Sequence, residues 1–356
     1  MDDDREPLVV GILGLGSHGV HYADLITSLG HEVTGADADP QVREEFARQF
    51  DAETYERPED LFDADIDAVT ISTPTKFHEA VATQALEAGH HVFLEKPLAA
   101  SLEGAERIAE IAEQTGNICM IGFYHRFRNH CDVLKSAIEG GEIGELIHID
   151  ATYVRRRGVP GRGTWYTSKK LAGGGVLMDI GCHLIDLLLY FSDWPTVEKV
   201  VATSRSDFGN REDYAYLYMW GDDDEAKMYD VEDSVRAFIK FEGGMTASIE
   251  IAWAANVPNE HSYRIEGTSA GAELSIKDVP YEEGNTANLQ LYETRSGGAN
   301  HLVDSTVTCN DNEGYEAELN TFVRAIRSDE RPAKNNVQQA LEVQRVVDQI
   351  YRAAEQ

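Results

Sequence analysis

The chain has 356 residues, enough for two domains at roughly 100–200 residues each, and its 42% hydrophobic content gives both halves a core to bury, which excludes a disordered chain. Its formal net charge is −32, from 63 acidic and 31 basic side chains, and the acidity runs from Asp2 to Glu355 with clusters such as Asp222-Asp223-Asp224-Glu225. That surface repels phosphate backbones and anionic lipid, which argues against nucleic-acid and membrane partners.

Taken in chain order, the first 120 residues alternate short apolar runs with helix-period segments. Leu8 to Leu13 predicts a buried strand, Ser17 to Leu29 a helix, and Glu32 to Ala36 a second strand. Asp39-Pro40 starts a helix, since Asp caps and Pro fits the first turn. Ile66 to Ser72, His91 to Leu94 and Ile118 to Ile121 read as strands, with helices at Thr75–Ala88 and Ser101–Gln114 between them. Strands and helices alternating at this spacing give parallel strands with right-handed crossovers, hence an α/β doubly wound sheet over 1–122. From about 123 to 356 the pattern becomes α+β. A helix over Asn129–Glu139 ends at Gly140-Gly141, and Val235–Phe241 and Met245–Trp253 form a hairpin around Gly243-Gly244. Tyr263–Glu266 and Leu289–Thr294 add strands to a mostly antiparallel open sheet, with helices near Met178–Phe191 and Tyr315–Arg327 on one face. Val337–Ala354 is an amphipathic helix that closes the chain and is expected to reach back to the first domain. The stretch Asp207–Asp233 reads as an irregular acidic excursion. No apolar run approaches the ~20 residues of a membrane span, the N-terminus has no leader pattern, and the four cysteines have no CxxC spacing; the expected location is cytoplasmic, with no disulfide framework and no metal site. High acid with little Lys is the composition of cytosolic proteins from salt-accumulating microbes, where salt screens self-repulsion.

The chemistry is concentrated in five places. Gly14-Leu15-Gly16-Ser17-His18-Gly19 directly follows a strand and opens a helix. In that context Gly14 permits the turn, Gly16 lets backbone approach a pyrophosphate, and Gly19 lets the helix pack on the strand. Asp37, 18 residues past Gly19, is placed to accept from the adenosine ribose hydroxyls; it would repel a 2′-phosphate, and Ala38 offers no cation, so NAD is favoured over NADP. Ser72-Thr73-Pro74, followed by His78, lies at the carboxyl end of a strand, where doubly wound sheets bind ligands. Glu95-Lys96-Pro97 ends the next strand, and a Lys there can stabilise a developing alkoxide. Finally, Gly173-Gly174-Gly175 precedes Asp179 and His183, four apart and so on one helix face. His is a natural base near neutral pH, a carboxylate neighbour can orient it, and the glycines let backbone and ligand come close.

In this order the five features resemble the Gfo/Idh/MocA family, named after glucose–fructose oxidoreductase, inositol dehydrogenase and a rhizopine catabolism protein. The resemblance extends over essentially the whole chain, through Gly122-Phe123-Tyr124-His125-Arg126-Phe127, Val231-Glu232-Asp233 and the terminal helix. It implies an N-terminal Rossmann domain and a C-terminal substrate and oligomerisation domain. It also implies that Lys96 polarises the substrate hydroxyl beside the nicotinamide, that His183 accepts the proton, and that Asp179 assists it or binds a neighbouring hydroxyl. Glu95 would approach the nicotinamide ribose, and the Lys96–Pro97 bond would be cis. Arg126, Tyr153 and Trp165 would line the substrate pocket, with the Arg155–Lys170 excursion tuning specificity. The substrate would be a sugar or cyclic polyol, and the assembly a homodimer or homotetramer. The family also contains redox-neutral glycoside-cleaving or epimerising enzymes and non-catalytic sugar- or dinucleotide-sensing regulators. Net NADH formation from an alcohol separates the dehydrogenase from both.

Overall fold

The computed structural model describes residues 6–215, 229–277, 287–310 and 312–355. The acidic run Asp222–Glu225 and much of the Asp207–Asp233 excursion lie outside them. The chain divides into two compact units, one of residues 1–123 and 315–341, the other of residues 124–314 and 342–356.

In the first unit the strands are β1 (Val9–Leu13), β2 (Glu32–Ala36), β3 (Thr54–Tyr55), β4 (Ala68–Ile71), β5 (His91–Leu94) and β6 (Cys119–Ile121). All pair in parallel, in the order β3-β2-β1-β4-β5-β6. The chain builds outward from β1 through β3, then returns to place β4 on the other side of β1. That reversal opens a crevice at the carboxyl ends of β1 and β4. The crossovers are α1 (Ser17–Ser28), α2 (Pro40–Phe50), α3 (Pro58–Phe62), α4 (His78–Glu87) and α5 (Leu102–Thr115). Local chemistry sets their ends. The Asp39 carboxylate accepts from the Gln41 amide at 2.8 Å with Pro40 in the first turn, and Ser101 accepts from Gly104 at 3.1 Å. Gly116 (φ 75°) ends α5 in the left-handed region. Ile12, Val69, Ile71, Phe93, Leu94 and Ile121 are fully enclosed, as expected of parallel strands covered on both faces.

Residues 315–341 complete this unit. The helix Tyr315–Ser328 sets Phe322 against Phe93, ring centroids 5.6 Å apart. Farther on, the Asn335 carbonyl accepts from the Ile121 amide at 2.9 Å and Asn336 bridges Met120, which covers the β6 edge. The sequence expectation had placed Tyr315–Arg327 on the second sheet. Its amphipathic face is clear in the sequence, but periodicity says that a helix buries one side, not which sheet receives it.

The second unit holds α6 (Asn129–Glu139), β7 (Leu146–Val154), α7 (Lys169–Ala172), α8 (Cys182–Phe191), β8 (Val197–Arg205), β9 (Ser234–Phe241), β10 (Thr246–Ala252), β11 (Glu260–Gly267), β12 (Ala270–Ile276), β13 (Ala287–Gly297) and β14 (Ala299–Val307). They form one sheet in the order β14-β13-β12-β11-β7-β10-β9-β8, antiparallel except for β7 beside β10. Gly243 and Gly244, at φ 83° and 98°, make the β9–β10 turn. Every residue of α8 is buried, and it packs on β7. The opposite face of the sheet is open: Val201 and Phe238 are 59% and 47% exposed among the ion-paired Arg236 and Glu250. The helical turns Lys169–Phe191 do reach membrane-spanning length and hydropathy, against the sequence expectation, but 94% of the apolar window is buried inside the protein. β7, β8, β12 and β14 went unread in the sequence. β8 and β14 are exposed edge strands whose polar residues carry little alternation.

Candidate active site

In the first unit, the glycine loop is held by its neighbours rather than by its own stiffness. Gly14 has φ 91°, and a Cβ there would lie 3.0 Å from the Ser72 carbonyl. A Cβ on Gly19 would lie 1.9 Å from the Gly14 carbonyl oxygen, so α1 can pack only without a side chain. At Gly16 a Cβ would meet nothing within 4 Å, which fits a backbone surface kept clear for a ligand. Gly16, Ser17 and His18 are exposed, and among the described residues no side chain caps α1, so its first amides could take an anion. The Ser72 hydroxyl donates to the Gly14 carbonyl at 2.8 Å. Asp37 accepts from the Leu15 amide with one oxygen and from the Asp39 amide with the other, both at 2.9 Å. Its carboxylate is therefore fixed against the loop at the end of β2. Arg43, which sequence reading missed, donates to the Asp37 carbonyl at 2.7 Å. This geometry fits a dinucleotide: outward amides for the pyrophosphate, and an anchored acid for the ribose.

His78 has a different position from the one expected of a cofactor ligand. It is 1% exposed, and its ring nitrogens each lie 2.9 Å from a backbone carbonyl, Nδ1 from Pro97 and Nε2 from Thr73. The ring braces the loop after β4 against the loop after β5. Burial lowers its pKa, against the carbonyls that raise it. Beside it the Thr73 hydroxyl is buried and has no hydrogen-bond partner among the described residues. Glu95 is clamped at both oxygens: the Tyr22 hydroxyl donates to Oε1, and the Lys96 amide donates to Oε2 at 3.0 Å. The Lys96–Pro97 bond is cis, as the resemblance implied.

In the second unit, Asp179 lies within a single π turn over Leu177–Gly181 and His183 follows it in α8; such a winding is concentrated at functional sites. Asp179 accepts from the Trp253 indole at 2.9 Å, and Trp253 is fully buried at the end of β10. His183, 6% exposed, meets Tyr124 and His125 edge-on at 5.5 and 5.0 Å. His125 touches His261 at 5.3 Å, and His261 stacks on Tyr153 at 3.9 Å. Tyr153 thus joins the cluster through two imidazoles. Trp165 stacks on Tyr166 in the preceding loop. Among the described residues, no group of three or more His, Cys, Asp or Glu side chains could hold a metal ion.

Two expectations change here. Arg126 is fully buried and makes a two-pronged ion pair with Asp186, with Trp194 and Tyr190 against its guanidinium. It is core, not pocket lining. Burial pushes the Asp186 carboxyl up to about 6, with Arg126 pulling the other way. The glycine triplet likewise serves packing. Gly173 (φ 86°) ends α7; a Cβ on Gly174 would lie 2.0 Å from the Tyr351 hydroxyl, and one on Gly175 2.1 Å from the Glu232 carbonyl. Glu232 accepts from the Gly175 and Leu177 amides at 3.0 and 3.1 Å and from the Tyr351 hydroxyl at 2.8 Å. It thereby fixes the start of the helix that carries Asp179 and His183. Trp253, Tyr351 and His261 had no sequence signal, since each acts across 74 or more residues of chain.

Residues 8–123 match the model of an oxidoreductase family with an NAD-binding Rossmann fold, and residues 132–273 match the GFO/IDH/MocA C-terminal domain. The chain belongs to the Gfo/Idh/MocA family of oxidoreductases. A UDP-kanosamine synthase oxidoreductase subunit of Amycolatopsis mediterranei (strain S699) is 32% identical over 68% of this chain and 67% of its own. The scyllo-inositol 2-dehydrogenase (NAD(+)) of Bacillus subtilis (strain 168) is 28% identical over 92% of this chain and 88% of its own. A levoglucosan dehydrogenase solved with NADH and levoglucosan has the same fold, with a TM-score of 0.81 at 22% identity over 98% of each chain. Residues 8–123 of the first unit therefore carry the family's NAD-binding Rossmann fold.

Proposed function

We propose that this oxidoreductase moves a hydride between NAD and a secondary alcohol of a sugar, cyclic polyol or sugar derivative. The observation that carries the reading is the pairing on one helix of a buried imidazole, His183, with a carboxylate, Asp179, whose orientation the Trp253 indole sets. His183 takes the hydroxyl proton, and Asp179 holds the resulting charge or a neighbouring hydroxyl. The Lys96 ammonium stabilises the oxygen as its bond to hydrogen breaks. NAD supplies the hydride acceptor at C4 of its nicotinamide, and the substrate leaves as a ketone or lactone. Glu95 would meet the nicotinamide ribose. Ser72, Thr73 and Pro74 would line the cofactor crevice, and Gly14, Gly16, Ser17, His18 and Gly19 would hold the pyrophosphate. Asp37 accepts from the adenosine ribose and disfavours NADP. Tyr153 and Trp165 belong to the substrate side.

The polyol and sugar names of the relatives support the substrate class. The open sheet face with Val201 and Phe238 supports a homodimer or homotetramer. The charge of −32 supports a cytoplasm rich in salt as the working environment. The test is absorbance at the NADH wavelength over a panel of aldoses, inositols and sugar acids, with NAD and then NADP, at low and high KCl. NADH formation with a member of the panel, faster with NAD, is expected. No NADH from any alcohol, with cofactor that copurifies, would instead fit a redox-neutral enzyme.

A further inference from the structure

The helix that presents the glycine loop also carries a residue that reaches the other end of the cofactor cradle. Tyr22, one turn into α1, has no exposed surface. Its ring lies edge-on to Phe93 at 5.2 Å and Tyr315 at 6.4 Å, and His21 adds a tilted contact at 5.9 Å. From this apolar cage its hydroxyl donates to Glu95 Oε1. The second Glu95 oxygen accepts the Lys96 amide at 3.0 Å, and the Glu95 amide donates to the Ile71 carbonyl at 2.9 Å. Backbone and carboxylate of Glu95 are thus both fixed, the first by the sheet and the second by Tyr22 and the Lys96 amide. The Glu95 side chain stays partly exposed, so it is held without being sealed off. Gly122 runs alongside: a Cβ there would lie 3.4 Å from the Tyr22 hydroxyl and 3.5 Å from the Glu95 carboxylate, so no bulk competes for the place. Burial, reinforced by the Glu95 charge, raises the phenol pKa well above its ordinary value, so Tyr22 remains a donor at every working pH.

We propose that Tyr22 is a positioning residue that aims the Glu95 carboxylate, and with it the Lys96 turn, at the nicotinamide half of the cofactor. The inference rests on the reading of Glu95 and Lys96 given above. It separates two functions of one helix: the first amides of α1 serve the pyrophosphate, and Tyr22, within the same helix, serves the nicotinamide ribose. A hydrogen bond to a charged acceptor is among the stronger ones, so its loss is expected to be measurable.

The experiment compares Tyr22→Phe, Glu95→Gln and the double variant in the full-length enzyme. Phe keeps the ring and hence the packing on Phe93 and Tyr315. ADP is the probe for the adenosine half and NADH for the whole cofactor, both titrated by fluorescence or calorimetry, beside kcat and KM for NAD. Tyr22→Phe is expected to leave ADP affinity within twofold, to weaken NADH by about tenfold, and to lower kcat by a similar factor. The double variant is expected to be no worse than Glu95→Gln alone, because the two groups act as one unit. A general loss of stability would weaken ADP and NADH together, and that parallel loss would overturn the proposal, as would additive effects in the double variant. Should Glu95→Gln itself leave NADH binding and kcat unchanged, the assignment of Glu95 fails, and the role of Tyr22 falls with it.

Discussion

Two glycine-rich turns precede helices in this molecule, one in each unit, and they need glycine for different reasons. In the first, Gly19 is pressed on the Gly14 carbonyl a few residues away, and Gly16 is left clear. In the second, Gly174 and Gly175 are pressed by Tyr351 and Glu232, which arrive from 177 and 57 residues farther along the chain (351 − 174 and 232 − 175). The first turn is shaped by the backbone around it and leaves Gly16 clear. The second is shaped by tertiary packing that steadies the helix behind it. The same residue type thus leaves a backbone surface clear in one place and makes a structural joint in the other.

The sharpest test of that contrast, by size of effect, concerns Arg126. It was expected to be a substrate contact, and the structure makes it half of a buried ion pair. Arg126→Met strands the Asp186 carboxylate and should cost about 3–5 kcal/mol of stability. Thermal or denaturant unfolding should report this loss, while KM for the alcohol in the surviving folded enzyme stays unchanged. A raised KM without lost stability would return Arg126 to the pocket. Next come the glycines. Gly19→Ala and Gly174→Ala should each cost about 1–3 kcal/mol through overpacking, but only the second can be relieved by trimming its neighbour. Tyr351→Phe removes the hydroxyl that the new Cβ would strike, so the double variant should regain part of the lost stability. No rescue would mean that Tyr351 does not set the turn. Gly16→Ala should leave stability intact and weaken NADH binding.

A smaller effect is expected at the adenosine end. Asp37→Ser removes the acid proposed to meet the ribose and leaves Arg43 in place, so the ratio of kcat/KM for NAD over NADP should fall by about tenfold. An unchanged ratio would remove Asp37 from cofactor choice. The smallest effect belongs to His78. Burial holds its imidazole below the ordinary value of 6.5, so the unfolded chain binds the proton first as the pH falls. The stability that this group contributes is present above pH 6.5 and is lost as the pH drops below it. Tm followed across that window should fall in the parent and fall less in His78→Gln. Equal slopes would dismiss the brace.

The first unit was legible because its constraints are local. The strand Glu32–Ala36, the Asp39 cap and the Gly14–Gly19 spacing can each be read from residues close in sequence, whereas the hold of Tyr22 on Glu95 spans 73 residues and could not. The second unit was legible in its hairpin and in Asp179 and His183, whose spacing is a helix signal. Its remaining logic was not. Trp253 meets Asp179 across 74 residues, Tyr351 meets Glu232 across 119, and Asp186 reads as one more acid in an acidic chain until Arg126 is seen against it. The helix Tyr315–Ser328 shows the same limit, since its apolar face fits either sheet by pattern and only Phe322 against Phe93 decides.

The central proposal is that Lys96 and His183 serve the chemical step, while the Gly14–Gly19 loop and Asp37 hold the cofactor. Single-turnover NADH formation from a bound sugar or polyol, measured for Lys96→Met and His183→Ala beside NADH affinity, tests it most directly. Turnover in both variants is expected to fall by roughly 10²–10⁴ with NADH affinity held within a few fold. Turnover retained in both would contradict the account.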